Sequence, residues 1–213
     1  MTGREYLTLA GTGESRYEEK KSVFLGFAGR FEKEEEVLAW LSSLRRAYPD
    51  ARHHVYAYRL RESNTTRYSD DREPQGTAGM PTLDVLRGRD LYDCAVCVIR
   101  YFGGTLLGTG GLVHAYGSAA ADAIKDAGIV RMSIRRAFTL SLSYADHPRV
   151  SAILSEYGAT VSDVIYAEGV TFTGTVDGSK TEALARALSD ATAGRITPEW
   201  GDALFSPVPV ETE

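Results

Sequence analysis

One segment of the chain is rich in carboxylates directly ahead of a predicted helix. The run SDDREPQGTAG at 69–79 places Asp70, Asp71 and Glu73 in a turn that precedes this helix. Acidic and hydroxyl side chains in such a turn accept hydrogen bonds from the unpaired N–H groups of the first helical turn, and Thr77 occupies the expected N-cap position. One cap needs few acceptors, so the surplus of carboxylates leaves room for a cation, an arginine partner or a ligand that carries a hydroxyl group.

A second segment is rich in glycine where a strand meets a helix. The run RYFGGTLLGTGGLVH at 100–114 contains five glycines, and the helix is predicted to begin at Leu112. Backbone N–H groups without neighbouring side chains can approach an anion closely, and a helix N-terminus favours negative charge. The run is not a nucleotide fingerprint, because Thr109 stands at the Walker A lysine position and Val113 at the third glycine of the dinucleotide pattern. The alternative is that these glycines only permit tight turns and close packing.

Other residue types that often act in catalysis form no such pattern. Cys94 and Cys97 lie in an apolar run of strand length, where side chains three positions apart point to opposite faces, so we expect two core cysteines. The histidines form no metal-binding pair, and His53 beside His54 suggests one buried and one exposed ring. No GxSxG or HExxH motif is present. We therefore predict no catalytic residue, no metal and no cofactor.

The composition is that of a globular protein with an uneven charge distribution. The 213 residues are 43% hydrophobic and 25% charged, with a net charge of -5 at pH 7. Basic and acidic residues number 18 and 18 before residue 134, and 6 and 11 from there on. Because nucleic-acid binding needs a basic surface, any RNA contact is expected in the first two thirds of the chain. Neither a bilayer-length apolar stretch nor a signal peptide is evident, so we expect a cytoplasmic protein without membrane contact.

The secondary-structure elements around the two segments are predicted to occur in an order in which strands come first and helices come later. Hydrophobic patterns predict strands within 4–10 and 15–31, a helix over 33–48, a strand over 54–60 and a polar loop over 61–76. They then predict a helix over about 78–86, a buried strand over 94–102, and a helix over 112–127 that ends at Gly128. This order suggests an α+β layer with two or three helices on one face of a sheet.

After Gly128 the pattern restarts in the order βαββαβ. A strand through 138–144 precedes a helix over about 147–157, strands over 159–166 and 169–176, a helix over 180–191 and a strand over 195–200. This is the ferredoxin-like order. We therefore predict an α+β protein with domains of 1–133 and 134–213. The alternative is that these later strands extend the first sheet.

Taken together, the two segments resemble the signature of the YigZ/IMPACT family. The matching strings are SDDxEPxGTAG at 69–79, RYFGG at 100–104 and LGTGGLVxAY at 107–116, with KSxF at 21–24 and a histidine ahead of YAY at 53–58. The resemblance implies an N-terminal domain like the second domain of a small-subunit ribosomal protein. It also implies a ferredoxin-like C-terminal domain similar to the last domain of elongation factor G.

The sequence departs from the family pattern at three positions. Arg72 stands where glycine is usual, Val55 where a cysteine often precedes YAY, and His114 where arginine or lysine commonly follows Leu-Val. A fixed cation would hold phosphate at any pH, whereas a histidine is only partly charged near neutrality. Arg72 could supply this positive charge from the other segment.

The resemblance implies a link to translation, since eukaryotic members regulate it by competing for the activator of the amino-acid-starvation kinase. We expect a non-catalytic binding protein in which the two segments form one polar pocket for RNA or another phosphate-bearing ligand. The ribosome or a translation factor is a further candidate partner. The candidate ligand-binding residues are Ser69, Asp70, Asp71, Glu73, Gly76, Thr77, Gly79, Arg100, Tyr101, Gly103, Gly104, Gly108, Thr109, Gly110, Gly111 and His114.

Two other functions remain open at this point. A metal-assisted hydrolase or transferase could use Asp70, Asp71 or Glu73 as a metal ligand or general base on a phosphate-containing substrate. A protein–protein adaptor in translational control could use its acidic C-terminal region to bind a basic partner. The sequence does not determine the oligomeric state.

Overall fold

The computed structural model describes residues 5–210, which form two compact units. The chain passes from the first unit to the second after Arg131, and residues 207–210 belong to the first unit again. The α+β class expected from the sequence is confirmed. The assignment of 1–133 and 134–213 as separate domains stays a prediction. No helix within the described residues is long and apolar enough to cross a membrane.

The secondary structure comprises ten strands, five α-helices and one short 3-10 turn within residues 5–210. The strands are β1 (Tyr6–Leu9), β2 (Gly13–Glu19), β3 (Ser22–Arg30), β4 (His53–Leu60), β5 (Thr65–Ser69), β6 (Cys94–Tyr101), β7 (Ile129–Leu142), β8 (Thr160–Tyr166), β9 (Val170–Asp177) and β10 (Glu199–Pro209). The helices are α1 (Glu34–Ala47), α2 (Gly79–Gly88), α3 (Gly108–Ala127), α4 (His147–Glu156) and α5 (Thr181–Thr192), with the 3-10 turn at Gly178–Lys180.

The first unit is built on a five-stranded sheet in the order β2–β3–β6–β4–β5. All neighbouring strands in it are antiparallel. β6 lies at the centre, and every residue from Cys94 to Arg100 is buried. Because alternate side chains of a strand point to opposite faces, a run of this kind is buried only when both faces of the sheet are covered.

Two helices cover one face of this sheet, as expected, and a third covers the opposite face, which the sequence analysis did not predict. α2 and α3 pack against the face that carries Val96 and Val98. α1 packs against the opposite face, which carries Cys97 and Ile99. The physical reason lies in α1 itself, since its buried side chains need an apolar surface and alternate residues of β6 supply one. These side chains are Val37, Leu41 and Leu44.

Two elements of the first unit occupy positions where the sequence predicted loops. β5 pairs along its whole length with β4, from Leu60 opposite Thr65 to Tyr56 opposite Ser69. α3 begins at Gly108, four residues before the predicted start at Leu112. The first N–H groups of a helix have no partner within it, so glycine is tolerated there more readily than in the middle. The predicted end at Gly128 is confirmed, and this residue has a φ of 71°.

The second unit has the predicted order βαββαβ. β10 pairs with β7, which pairs with β9, and β9 pairs with β8. Counted within the unit, this spatial order is fourth, first, third, second, which is the ferredoxin-like arrangement. α4 and α5 share a core with the inward side chains of β7 and β9, among them Phe138, Leu140 and Phe172.

Candidate functional site

Asp70 caps α2 from a distance. Its Oδ1 accepts hydrogen bonds from the backbone N–H groups of Ala78 and Gly79 at 3.1 and 2.8 Å, and its Oδ2 accepts from Gly76 at 3.0 Å. The N-cap residue is Ala78, not Thr77 as predicted from the sequence. The Thr77 hydroxyl instead donates to the Pro74 carbonyl at 2.7 Å. Asp70 takes over the capping role because its carboxylate reaches the helix terminus and accepts from several N–H groups at once.

Asp71 holds the acidic turn against the start of β4. Its carboxylate accepts from the backbone N–H of His54 at 2.6 Å, and its N–H donates to the Ser69 hydroxyl at 3.1 Å. The Asp71 carbonyl lies 2.7 Å from Nδ1 of His53, so this nitrogen carries the proton. Both histidines are therefore tied to the turn. His54 is 7% exposed and the His53 side chain 14%, so the expected exposed ring is not found.

Glu73 joins the acidic segment to the glycine-rich segment in a buried hydrogen-bond network. Its Oε1 accepts from Nη1 of Arg100 at 2.6 Å and from the Tyr116 hydroxyl at 2.7 Å. Only 4% of the Glu73 side chain and 6% of the Arg100 side chain are exposed. Burial, followed by the charge of Glu73, raises the pKa of the Tyr116 phenol far above its usual value. This phenol therefore stays protonated and acts as a donor.

The same network continues to the first residue of β3. The Ser22 hydroxyl accepts from the backbone N–H of Gly103 at 3.1 Å and lies 3.4 Å from Nη2 of Arg100. Gly103 packs so tightly that an added Cβ would come within 2.1 Å of the Lys21 carbonyl carbon. This position therefore requires glycine for close approach. Lys20 and Lys21 form the exposed turn between β2 and β3.

The N-terminus of α3 is exposed and has no side-chain cap. Its N-cap residue, Leu107, makes no capping hydrogen bond, and Gly108, Thr109 and Gly110 are all exposed. An added Cβ at Gly110 would meet no atom within 4 Å. Close packing therefore does not account for glycine here, in contrast to Gly103. The first N–H groups of a helix have no partner within it, and the helix dipole favours an anion at this end.

The structure thus brings together most, but not all, of the residues predicted from the sequence. Arg100 and Glu73 are in direct contact, and Ser69, Asp70 and Asp71 support the acidic turn. Tyr101 does not join them, because it alternates with Arg100 along β6 and packs on the α1 face. His114 is exposed further along α3, with its ring centroid 6.1 Å from that of Tyr17. Arg72 is exposed, and its Nη2 donates to the Arg52 carbonyl at 3.1 Å.

The sequence analysis missed Tyr116, Ser22 and His53 as members of the network. All three fall inside the strings that carry the family resemblance, although their roles depend on contacts between distant elements. Phe102 was missed as well. It lies between Arg100 and Gly103 and is 42% exposed.

The two cysteines lie outside this region and on opposite faces of the sheet, as predicted. Cys94 belongs to the cluster under α2 and α3, and Cys97 to the cluster under α1. Burial raises the pKa of each thiol to about 12. Within residues 5–210, no group of three or more histidine, cysteine, aspartate and glutamate side chains is arranged to hold a metal ion.

Comparison with known proteins places this geometry in a family. Residues 20–124 match the Impact N-terminal domain, and residues 140–195 match a domain of unknown function, DUF1949. The Bacillus subtilis protein described as IMPACT family member YvyE is 30% identical over 201 residues, which cover 94% of this chain and 93% of that protein. IMPACT family member YigZ of Escherichia coli is 32% identical over 180 residues, covering 83% of this chain and 88% of that protein.

A solved structure supports the same relationship. A chain described as the crystal structure of a hypothetical protein is 30% identical, covers 98% of both chains and superimposes with a TM-score of 0.58. The family strings at 69–79, 100–104 and 107–116 are the segments that build the buried network and the exposed N-terminus of α3. This chain therefore belongs to the YigZ/IMPACT family.

Proposed function

We propose that this protein is a non-catalytic binding protein for a phosphate-bearing ligand, above all RNA, with a role connected to translation. The binding surface consists of the α3 N-terminus at Gly108–Gly111, the Gly103–Gly104 turn and the Lys20–Lys21 turn. The observation that carries the proposal is the exposed, uncapped N-terminus of α3, where Gly110 leaves open space above the backbone.

Three features of this surface suit an anion. The unpaired N–H groups of the first turn of α3 are donors, and the helix dipole adds partial positive charge at that end. Lys20 and Lys21 are exposed, and the backbone of Lys21 touches Gly103. The nearby carboxylate of Glu73 is buried against Arg100, so it is withheld from the surface.

The buried network gives this surface a fixed shape. Glu73 holds Arg100 of β6 and Tyr116 of α3 in one cluster, and Ser22 holds the Gly103 backbone. These contacts tie the start of α3 to the sheet, so its N–H groups are oriented before a ligand arrives. A site that is ordered in advance loses less conformational entropy on binding.

The hydrolase or transferase alternative has less support from the geometry. Asp70 accepts three backbone N–H bonds, Asp71 holds β4, and Glu73 is paired with Arg100. Each carboxylate that this alternative would use as a ligand or base thus has a structural role. The adaptor alternative is not favoured by a specific contact within the described residues.

RNA binding can be tested with a pair of variants in the same helix. Gly110→Asp places a negative charge in the proposed site, whereas Gly117→Asp adds the same charge further along α3. Neither added Cβ meets an atom within 4 Å. We expect fluorescence anisotropy with a labelled single-stranded RNA to show at least about a tenfold loss of affinity for Gly110→Asp at low salt, and little change for Gly117→Asp.

The Gly110→Asp variant should remain folded, because an acidic side chain near a helix N-terminus and the removal of a helical glycine both favour the helix. An unchanged or higher melting temperature therefore separates lost binding from lost structure. Equal RNA affinities for the two variants, or no RNA binding by the wild type, would refute the proposed surface.

The connection to translation needs a separate test, since it depends on the family resemblance. We expect the wild-type protein to sediment with ribosomes or their subunits in a sucrose gradient, and Gly110→Asp to remain at the top. Sedimentation that is the same for both proteins would contradict a role for this surface in that association.

A further inference from the structure

The proposed anion-binding surface is bordered by exposed apolar side chains. Phe102 is 42% exposed, Leu106 is 83% exposed and Val113 is 42% exposed. All three lie within or beside the α3 N-terminus and the turn that leads to it. A site for inorganic phosphate alone does not need apolar side chains around it, because inorganic phosphate has no apolar surface for them to contact. The border indicates a ligand with an apolar or flat part next to its charge.

Phe102 occupies a defined position in this border. The guanidinium carbon of Arg100 lies 5.6 Å from the centroid of its ring. The next residue, Gly103, is fixed by the hydrogen bond to Ser22 and by contact with Lys21. The ring is therefore a partly exposed aromatic surface next to a fixed backbone, in the turn that leads from β6 to α3.

Arg100 contains a buried hydrogen-bond donor without a partner within residues 5–210. It is only 5% exposed, and its Nε has no hydrogen-bond partner among the described residues. A buried N–H without an acceptor is costly, so such groups commonly mark a ligand or a water site. The same guanidinium lies 5.6 Å from the centroid of the Phe102 ring and donates to Glu73, so the unsatisfied donor belongs to the buried network that adjoins this ring.

We infer that the ligand is single-stranded RNA, bound with one unpaired base stacked on Phe102 and an adjacent phosphate on the N-terminal turn of α3. This inference rests on the proposed function and specifies its ligand. An aromatic side chain stacks on the face of a base, and a base within a duplex has both faces covered by its neighbours. The positive Lys20–Lys21 turn and the helix N-terminus complement the backbone charge of the same strand.

The experiment compares single-stranded RNA with a duplex of the same sequence and length, by fluorescence anisotropy at one salt concentration. We expect the wild type to prefer the single strand by about tenfold. Phe102→Ala should lower the single-strand affinity by about tenfold, within the range for loss of one stacked base, and leave the duplex affinity unchanged. Phe102→Trp should retain the preference.

Tyr68 offers a matched control, because it is an aromatic residue of nearly equal exposure, 43%, on β5. Tyr68→Ala should bind both RNAs like the wild type. Phe102→Leu keeps an apolar cover over Arg100 without an aromatic face, so it separates stacking from stability and should resemble Phe102→Ala in binding. Melting temperatures establish that each variant is folded.

The outcomes distinguish this inference from the proposed function. Equal affinity for single strand and duplex, with no effect of Phe102→Ala and a loss in Gly110→Asp, would overturn the stacked base and leave the anion site intact. Absence of binding to either RNA by the wild type would overturn both. A Phe102→Leu variant with wild-type affinity for the single strand would show that binding needs no aromatic face at this position, which also overturns the stacked base.

Discussion

Removal of Arg100 should strongly destabilise the first unit, because it leaves a carboxylate buried without its charge partner. In the native protein the Nη1 to Oε1 distance between Arg100 and Glu73 is 2.6 Å, and the two side chains are 6% and 4% exposed. Loss of one member of a buried ion pair typically costs about 3–5 kcal/mol. Arg100→Met retains much of the side-chain volume, so this cost is expected without a large cavity.

Arg67→Met is the matched control for this experiment. Arg67 pairs with Glu34 at 3.1 Å, but its side chain is 63% exposed and that of Glu34 is 37% exposed. Solvent screening keeps the contribution of such an exposed pair to the free energy of unfolding small. The comparison therefore isolates burial as the variable, since both variants remove an arginine that is paired with a glutamate.

Urea unfolding followed by tryptophan fluorescence measures both variants. Trp40 belongs to the first unit and Trp200 to the second, so a Trp200→Phe background reports on the first unit alone. Adding Glu73→Gln to Arg100→Met should recover part of the lost free energy of unfolding, because the remaining buried group is then neutral and still accepts from Tyr116. A loss below about 1 kcal/mol for Arg100→Met, no larger than for Arg67→Met, would refute the reasoning.

Other measurements test the cysteines, a buried histidine and the remote cap. Cys94 and Cys97 should react with a thiol reagent near pH 8 only after unfolding, because burial raises the pKa of both thiols to about 12. A thiol that reacts rapidly in the native protein would contradict this prediction. Burial lowers the pKa of His54, so the unfolded state binds a proton at higher pH than the folded state. The free energy of unfolding of the first unit, measured by urea unfolding, should therefore fall as the pH drops below about 6.5. The His54→Gln variant should show a smaller dependence of stability on pH. Asp70→Ala removes the acceptor of three N–H groups before α2 and should cost about 1–2 kcal/mol, whereas an unchanged urea midpoint would show that the cap is dispensable.

The elements with strong hydrophobic patterns were predictable because burial alone specifies them. α1 was expected over 33–48 and spans Glu34–Ala47, with acidic residues in its first turn and basic residues in its last. The buried strand expected over 94–102 is β6, Cys94–Tyr101. The βαββαβ order of the second unit was likewise predicted from the sequence.

The elements that were missed depend on partners elsewhere in the chain. β5 is Thr-Thr-Arg-Tyr-Ser, with no apolar alternation, and it is a strand because β4 supplies its hydrogen-bond partners. The glycines at the start of α3 have poor helix propensity, yet the helix extends over them. Two turns later in the same helix, the Tyr116 hydroxyl donates a hydrogen bond to Glu73, which anchors α3. Neither effect is visible in a local window of sequence.

The sequence by itself identified the acid-rich and glycine-rich segments, since the first holds more carboxylates than one cap requires and both carry the family strings. Only the tertiary structure decided how those residues are used. It buries Glu73 with Arg100 and Tyr116, turns Tyr101 to the other face, and leaves the N-terminus of α3 exposed. The physical reason is that burial and pairing of charges depend on contacts between β3, β6, α3 and the acidic turn, which lie far apart in the chain and meet only in the folded sheet.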